Sequence, residues 1–272
     1  MAAGDLPCTW GQPECIQDRG PVKHFQLIIE YDGTGYHGWQ RQAEDRTIQA
    51  EIETALAAMT GGPVTLIGSG RTDAGVHALA QSAHFSCSTR IPPESVKNGL
   101  NSLLPPDIVI HACRQVPDTF HARFDVRGKT YHYHIRNHPE PCAVGRQYAW
   151  HLRAPLSIDR MNAGADCILG THDFKAFEGA GSPRSDTRRT IFSADWIEAT
   201  DHRVIFRITG SGFLRFMVRN IVGALTAVGQ GKLAPEDIDA LLTGRDRTKA
   251  PATAPPHGLF LVSVDYGGKD SG

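Results

Sequence analysis

One carboxylate held between two glycines is the most chemically informative feature of this sequence. Asp73 lies in the segment Gly-Arg-Thr-Asp-Ala-Gly-Val-His-Ala, residues 70–78. The flanking glycines can adopt positive φ and let the backbone approach a ligand closely, while Arg71 and Thr72 add a fixed cation and a hydroxyl. The alternative is a surface turn in which Asp73 caps its own backbone. The segment alone leaves both interpretations open.

An ionised carboxylate near neutral pH can act as a nucleophile or as a general base. Burial under a bound group would raise its pKa, and a neighbouring arginine would lower that pKa by about 1 to 3 units. Two arginines could be this neighbour of Asp73. Arg71 is two residues away in an extended segment, on the same side. Arg219 falls in a predicted helix over residues 213–228, where it and Arg215 lie together on the edge of the apolar stripe.

Two tyrosines alternate with two histidines in a predicted strand over residues 127–136. Tyr131 and Tyr133 share one face, and His132 and His134 share the other. A tyrosine ring could stack on an unstacked nucleic-acid base, which is worth about 1 to 3 kcal/mol per base, although core aromatics are the commoner outcome. No acid or cysteine stands at a spacing that would complete a metal site with the histidines. No phosphate-binding or dinucleotide fingerprint occurs either, so we predict neither a metal nor a cofactor.

Charge is balanced overall but clustered locally. The 272 residues include 28 Lys and Arg against 29 Asp and Glu, for a net charge of −1. Residues 202–220 nevertheless hold four arginines and no acid, and residues 121–138 hold four cations and one acid. A third cluster comprises Arg184, Arg188 and Arg189. Basic stripes on a neutral chain favour a specific RNA surface over general polyanion binding, and solvated surface faces are the alternative.

Two further function classes fit part of this pattern. An RNA-binding protein without activity would share the basic stripes and aromatics, but would have no need of Asp73 between glycines beside Arg71. A glycosidase acting on nucleosides would need a second carboxylate. Asp32 is the rival acid, and its Tyr-Asp-Gly setting is typical of a turn.

Strands and helices alternate in two successive sets, which predicts an α/β (α+β) protein with one large sheet and helices packed against it. The first 22 residues, rich in proline and glycine, are expected to be a tail outside the fold. The predicted strands are 25–31, 64–68, 81–88, 108–116, 127–136, 194–198, 204–209 and 259–266. The predicted helices begin after Thr47, at Pro93, near Ser157, at Phe213 and at Pro235.

Cysteine spacing and hydropathy indicate the cellular compartment of the protein. Six cysteines show no C-x-x-C spacing and no zinc-type pairing, as expected in a reducing compartment. No segment reaches the roughly 18 apolar residues of a membrane span, and the N-terminus lacks the pattern of a signal peptide. We therefore predict a cytoplasmic protein that is not inserted in a membrane.

Five segments, in chain order, carry a resemblance to a known family. The first two are 30–40 (Glu-Tyr-Asp-Gly-Thr-Gly-Tyr-His-Gly-Trp-Gln) and 70–78. The others are 120–124 (Phe-His-Ala-Arg-Phe) with 129–133, then 212–223 (Gly-Phe-Leu-Arg-Phe-Met-Val-Arg-Asn-Ile-Val-Gly), and finally 254–262 (Ala-Pro-Pro-His-Gly-Leu-Phe-Leu-Val). Together they resemble the tRNA pseudouridine synthase A family. Two departures stand out. Residues 214–217 replace that family's usual Leu-Tyr-His-Met, and residues 1–22 have no clear counterpart.

The resemblance implies a pseudouridine synthase fold, with two RRM-like halves that share a mainly antiparallel central sheet flanked by helices. Residues 23–124 would form the N-terminal half with the loop that carries Asp73, called here the acid loop (residues 70–78). Residues 125–267 would form the C-terminal half with the tyrosine strand (residues 127–136) and the arginine helix (residues 213–228). The implied reaction converts uridine to pseudouridine at positions 38, 39 and 40 in the anticodon stem-loop of tRNA, without metal or cofactor. A homodimer with one tRNA lying across both subunits is also implied.

The resemblance also assigns roles to individual residues. Asp73 would be the catalytic residue, either attacking the nucleoside or removing the sugar 2′ proton to give a glycal. Arg219 would pair with Asp73, while Arg71 would displace the target base and hold the RNA backbone. Tyr131 would stack on the extruded uracil, and Leu259 would line the pocket opposite it.

Overall fold

A single sheet runs through the part of the chain that the computed structural model describes, residues 20–179, 181 and 185–267. Its strand order is β4-β1-β3-β10-β5-β9-β8-β7, with β2 paired to β3 and β6 to β5. The strands are β1 (Val22–Tyr31), β2 (Ile67–Gly68), β3 (His77–Ser88), β4 (Ile108–Val116), β5 (Gly128–Asn137), β6 (Trp150–Leu152), β7 (Gly170–Asp173), β8 (Arg188–Ala199), β9 (Arg203–Gly210) and β10 (Leu259–Asp265). The helices are α1 (Ile48–Thr60), α2 (Pro93–Leu103), α3 (Ile158–Asp166), α4 (Met217–Gly229) and α5 (Asp237–Gly244).

The last strand joins the two sets of elements. β10 lies between β3 of the first set and β5 of the second, parallel to β3 and antiparallel to β5. The only other parallel pairing among the described strands is β5 with β6. In the first set α2 packs on β4 and α1 on α2, and in the second α3 packs on β8 and α4. The predicted α/β (α+β) fold with a mainly antiparallel sheet is confirmed.

Side-chain alternation explains why β5 is buried on one face. Tyr131, Tyr133 and Ile135 are buried, while His132 and His134 between them are partly exposed. The two faces therefore carry the residue types that the strand pattern predicts. Tyr133 is a core residue whose hydroxyl donates to Pro255 O at 2.8 Å.

Helix α4 begins at Met217, so the prediction that it starts at Phe213 is wrong. Phe216 adopts a left-handed backbone with φ of 62°. The carbonyl oxygen of Arg215 accepts from the backbone N–H of Gly179 at 2.8 Å, instead of from the helical N–H four residues on. Arg215 therefore lies in the turn before the helix, and it does not share a helix edge with Arg219.

Other element boundaries differ for local reasons. The strand expected over 64–68 is reduced to β2 because the backbone N–H of Leu66 donates to the Glu53 side chain at 2.9 Å, outside any strand ladder. The short strands β6 and β7 were not predicted. β1 begins at Val22, inside the segment 1–22 expected as a tail, and residues 1–19 lie outside the described residues. The division of the chain at 124 and 125 stays a prediction; both residues lie in the connection between β4 and β5.

The helices of the described residues are all too short or too polar to cross a lipid bilayer.

Candidate active site

A cleft with a volume of about 1050 Å³ opens between the acid loop and the second set of elements. Its walls include the loop between β2 and β3, β5, the turn before α4 with the first residues of that helix, and the start of β10. The five residues predicted from sequence all line this cleft, and they are Arg71, Asp73, Tyr131, Arg219 and Leu259. They come from four segments separated by up to 188 positions, so the fold brings them together.

Asp73 and Arg219 form an ion pair inside the cleft. The Arg219 Nη1 to Asp73 Oδ2 distance is 3.2 Å, and the two side chains are 13% and 24% exposed. The Arg219 Nε donates to Ala254 O at 2.8 Å, and the Ala254 N–H donates back to Arg219 O at 3.1 Å. The first bond holds the guanidinium in place, and the second ties the backbone of α4 to the same segment.

The electrostatics of Asp73 are set by two opposing effects. Burial raises the pKa of Asp73 above its ordinary value, while the guanidinium groups of Arg219 and, more weakly, Arg215 oppose that rise. The ion pair therefore acts to keep a desolvated carboxylate charged. Arg71, the other candidate partner, is exposed on the cleft and has no hydrogen bond or ion pair with another described residue.

The acid loop is held from both sides by polar contacts. On one side the hydroxyls of Tyr31 and Thr72 lie 2.7 Å apart. On the other, the Gln81 side-chain amide donates to Gly70 O at 2.9 Å, and the Ser69 hydroxyl donates to the Gln81 side-chain oxygen at 2.6 Å. Such contacts restrict the loop, so the carboxylate is preorganised.

The glycines of the loop have different physical roles. Gly75 has φ of +76°, which favours glycine. Gly70 does not have a positive φ, so that explanation for it is wrong. A Cβ at Gly70 would lie 2.5 Å from the Lys129 Nζ. Gly70 therefore leaves room for an ammonium group.

The backbone of segment 30–40 packs directly against the acid loop, a role that its sequence did not reveal. A Cβ at Gly38 would lie 2.6 Å from Thr72 O, and a Cβ at Gly33 would lie 2.0 Å from Val76 O. The Trp39 N–H donates to Thr72 O at 3.1 Å. These glycines allow the two backbones to pack directly against each other.

Tyr131 forms an aromatic wall of the cleft. It is 8% exposed, and its ring packs edge-on against Phe213 with 5.1 Å between centroids. Burial raises the pKa of its hydroxyl, so this group stays protonated. The hydroxyl has no hydrogen-bond partner among the described residues. Leu259 is also buried and adds an apolar wall to the same cleft.

Asp45 and Asp32 differ from Asp73 in their position and in their partners. Asp45 lines the cleft at 40% exposure and lies 3.5 Å from His37. Asp32 does not line it: its carboxylate accepts from the Thr34 N–H at 2.9 Å and from the Tyr148 hydroxyl at 2.7 Å. The turn predicted at Asp32 is confirmed.

His77 is a structural residue in this geometry. Its Nδ1 accepts from the Gly33 N–H at 3.1 Å, and its Nε2 lies 3.2 Å from the carbonyl oxygens of Gln147 and His257. Burial lowers the pKa of His77, while the Asp32 carboxylate, 3.1 Å from Nδ1, opposes that shift. The residue thus ties the acid-loop strand β3 to the second set of elements.

Charge along the cleft is strongly positive. Among the described residues that line it, two are acids, Asp45 and Asp73, and six are cations, namely Arg71, Arg123, Lys129, Arg189, Arg215 and Arg219. Within the described residues no three His, Cys, Asp or Glu side chains cluster as a metal site would require. The arrangement suits a polyanionic ligand with a planar group that enters between Tyr131 and Leu259 to meet Asp73.

The chain matches one protein family and several curated proteins that carry the same name. Residues 27–125 and 165–267 match the family described as tRNA pseudouridine synthase. Three proteins named tRNA pseudouridine synthase A each align over 245 residues, which is 90% of this chain. The protein from Thermoanaerobacter sp. is 43% identical and is covered over 100% of its length. Those from Exiguobacterium sp. and Acetivibrio thermocellus are 44% and 45% identical and are covered over 98% and 100% of their lengths. A chain of the archaeal box H/ACA sRNP Nop10-Cbf5 complex aligns with 74% of this chain and 44% of its own length, at 11% identity and a TM-score of 0.34. That structural overlap is too low to support a functional inference.

Proposed function

Because this chain belongs to the tRNA pseudouridine synthase family and isomerises uridine to pseudouridine in tRNA, we propose that Asp73 is its catalytic residue and that the cleft receives the target uridine. The observation that carries this proposal is the ion pair between Asp73 and Arg219 inside the cleft. It combines a partly buried carboxylate with a fixed cation that opposes its protonation.

The reaction breaks the bond between N1 of uracil and C1′ of the ribose and forms a bond between C5 and C1′. The C5 proton is lost and N1 regains one, so nothing is oxidised or reduced. Asp73 starts the reaction in its ionised form, either by attacking the nucleoside or by removing the 2′ proton to give a glycal. Both routes need a carboxylate that stays charged when a base covers it, which is the condition that Arg219 favours.

The remaining cleft residues then have separate tasks. The Tyr131 ring stacks on the extruded uracil, which offsets part of the cost of unstacking the base. Leu259 closes the pocket on the other side. Arg71 is exposed and unpaired among the described residues, so it is available to displace the base and hold the RNA backbone.

We further propose uridines 38, 39 and 40 of the anticodon stem-loop as the targets, since the five sequence segments resemble the tRNA pseudouridine synthase A family. The same resemblance supports a homodimer. A second subunit would extend the positive surface of a chain whose net charge is only −1. Because tRNA is the substrate, we place the enzyme in the cytoplasm.

Mapping of pseudouridine in an unmodified tRNA transcript tests the target assignment. The transcript is compared with three variants in which uridine 38, 39 or 40 is replaced by cytidine. We expect carbon-linked uridine only at these positions and its loss at each replaced position. Product elsewhere would refute the assignment, and release of free uracil would indicate glycosidase chemistry. Light scattering of the purified protein tests the dimer, because a mass near that of one 29.6 kDa chain would contradict it.

A further inference from the structure

Lys129 is a cleft residue to which neither the sequence motifs nor the reaction assigns a role. We propose that Lys129, together with Arg123, binds a backbone phosphate that flanks the target uridine. This inference rests on the proposed function, because it takes the cleft around Asp73 as the place where the uridine binds.

The position of the ammonium group is fixed by the strand and by the acid loop. Lys129 Nζ donates to Ser69 O at 2.7 Å, directly before the loop that carries Asp73. The absence of a side chain at Gly70 allows this approach. Lys129 also precedes Tyr131 by two residues on β5, so both side chains share one sheet face about 7 Å apart along the strand. A cation therefore lies next to the ring proposed to stack on the target base.

Lys129 forms no ion pair with an acid among the described residues. An ammonium has three N–H donors, and Ser69 O takes one, while the other two have no partner among the described residues. The charged group that acts most on Lys129 is Arg123, a second cation on the same cleft. Burial, followed by this repulsion, lowers the pKa of Lys129 to about 8.

The two described acids of the cleft have other partners. Asp73 is paired with Arg219, and Asp45 lies 3.5 Å from His37. Lys129, on the same strand face as Tyr131, and Arg123, on the same cleft, form no ion pair with an acid among the described residues. Together they match the chemistry of a phosphodiester, which provides two acceptor oxygens and one negative charge. The flanking phosphate of the extruded nucleotide is the anion that the substrate brings to this place.

A binding experiment with charge-deleted RNA tests the subsite. Stem-loop RNAs carry one target uridine and a neutral methylphosphonate at either of the two phosphates flanking it, or no substitution. Dissociation constants are measured for the wild type, Lys129→Met, Lys129→Gln, Arg123→Met and the control Lys97→Met. Lys97 is a suitable control because it lies on α2, outside the cleft, in an ion pair with Glu94.

We expect one methylphosphonate to weaken wild-type binding by about tenfold or more, as for loss of a charge-assisted hydrogen bond. Lys129→Met and Lys129→Gln should bind the unsubstituted RNA more weakly and should no longer distinguish it from the substituted RNA. Arg123→Met should show part of this loss of discrimination, and Lys97→Met should behave like the wild type. Lys129→Gln keeps an N–H donor without the charge, on a side chain one atom shorter, so its comparison with Lys129→Met separates loss of charge from loss of a polar side chain.

Two results would overturn the inference. One is full wild-type sensitivity to both methylphosphonates in correctly folded Lys129→Met and Lys129→Gln. The other is slower product formation in these variants with unchanged affinity for every RNA, which would make Lys129 a residue that only positions the loop. The titrations do not depend on turnover, whereas the proposed role of Asp73 fails only if Asp73→Asn still makes product.

Discussion

Replacing Arg219 with methionine removes the cation beside Asp73 while keeping much of the aliphatic side chain. The Asp73 carboxylate is already disfavoured by burial in the native protein. Loss of a guanidinium 3.2 Å away should raise its pKa by a further 1 to 3 units, roughly. Over the pH range in which the wild-type carboxylate is ionised and that of the variant is not, the rate should fall about 10- to 1000-fold. As pH rises through the new pKa, the carboxylate ionises again and part of the rate returns.

Single-turnover rates at saturating tRNA, from about pH 5 to about pH 9, measure this shift in the pH profile. Arg215→Met is the matched control, because Arg215 lines the same cleft and influences Asp73 only as a secondary cation. Its profile should move less than that of Arg219→Met. Thermal unfolding is recorded as well, since Arg219→Met leaves Ala254 O without its side-chain donor, at a cost of about 1 to 3 kcal/mol.

The outcome that contradicts this reasoning is specific. If Arg219→Met turns over bound tRNA at the wild-type rate and pH profile but binds it more weakly, in a salt-sensitive manner, Arg219 belongs to the RNA-binding surface. Arg71 would then be the remaining candidate to hold Asp73 ionised.

Three further predictions concern the walls of the cleft. Tyr131→Phe should keep tRNA affinity and lose turnover if the hydroxyl transfers a proton. Tyr131→Leu should weaken both affinity and turnover, because it loses the stack on the base. Wild-type rates in both variants would show that Tyr131 is a core residue. Arg189→Met should reduce the slope of log K against log salt by about one, measured by tRNA titration at several salt concentrations, and an unchanged slope would exclude a phosphate contact. Wild-type affinity for tRNA should fall as pH rises through about 8, where free Lys129 loses its proton, and Lys129→Met should lack this dependence.

The sequence predicted much of the fold because its local patterns agree with the tertiary structure. The alternation over β5 and the apolar spacing after Thr47 led to the correct elements. Even there the details differ, since the Thr47 hydroxyl makes no capping bond and is buried without a partner among the described residues. The position of this helix along the chain was predictable, but the contact made by the Thr47 side chain was not.

The errors arise where distant segments override local preference. The start of α4 was misplaced because Gly179, distant in sequence, binds the carbonyl of Arg215. The support given by Gly38 to the acid loop depends on a backbone contact across more than thirty residues. Neither contact has a local signal. Arg184, predicted as part of a basic cluster, lies outside the described residues, so its role stays a prediction.

The Asp73→Asn variant tests the central claim most directly. The substitution is nearly isosteric and removes the ionised oxygen without adding volume. The purified variant is incubated with unmodified tRNA, and base-resistant carbon-linked uridine is quantified alongside tRNA affinity. We predict wild-type folding and affinity with no product, whereas appreciable product from the pure variant would remove Asp73 from the mechanism.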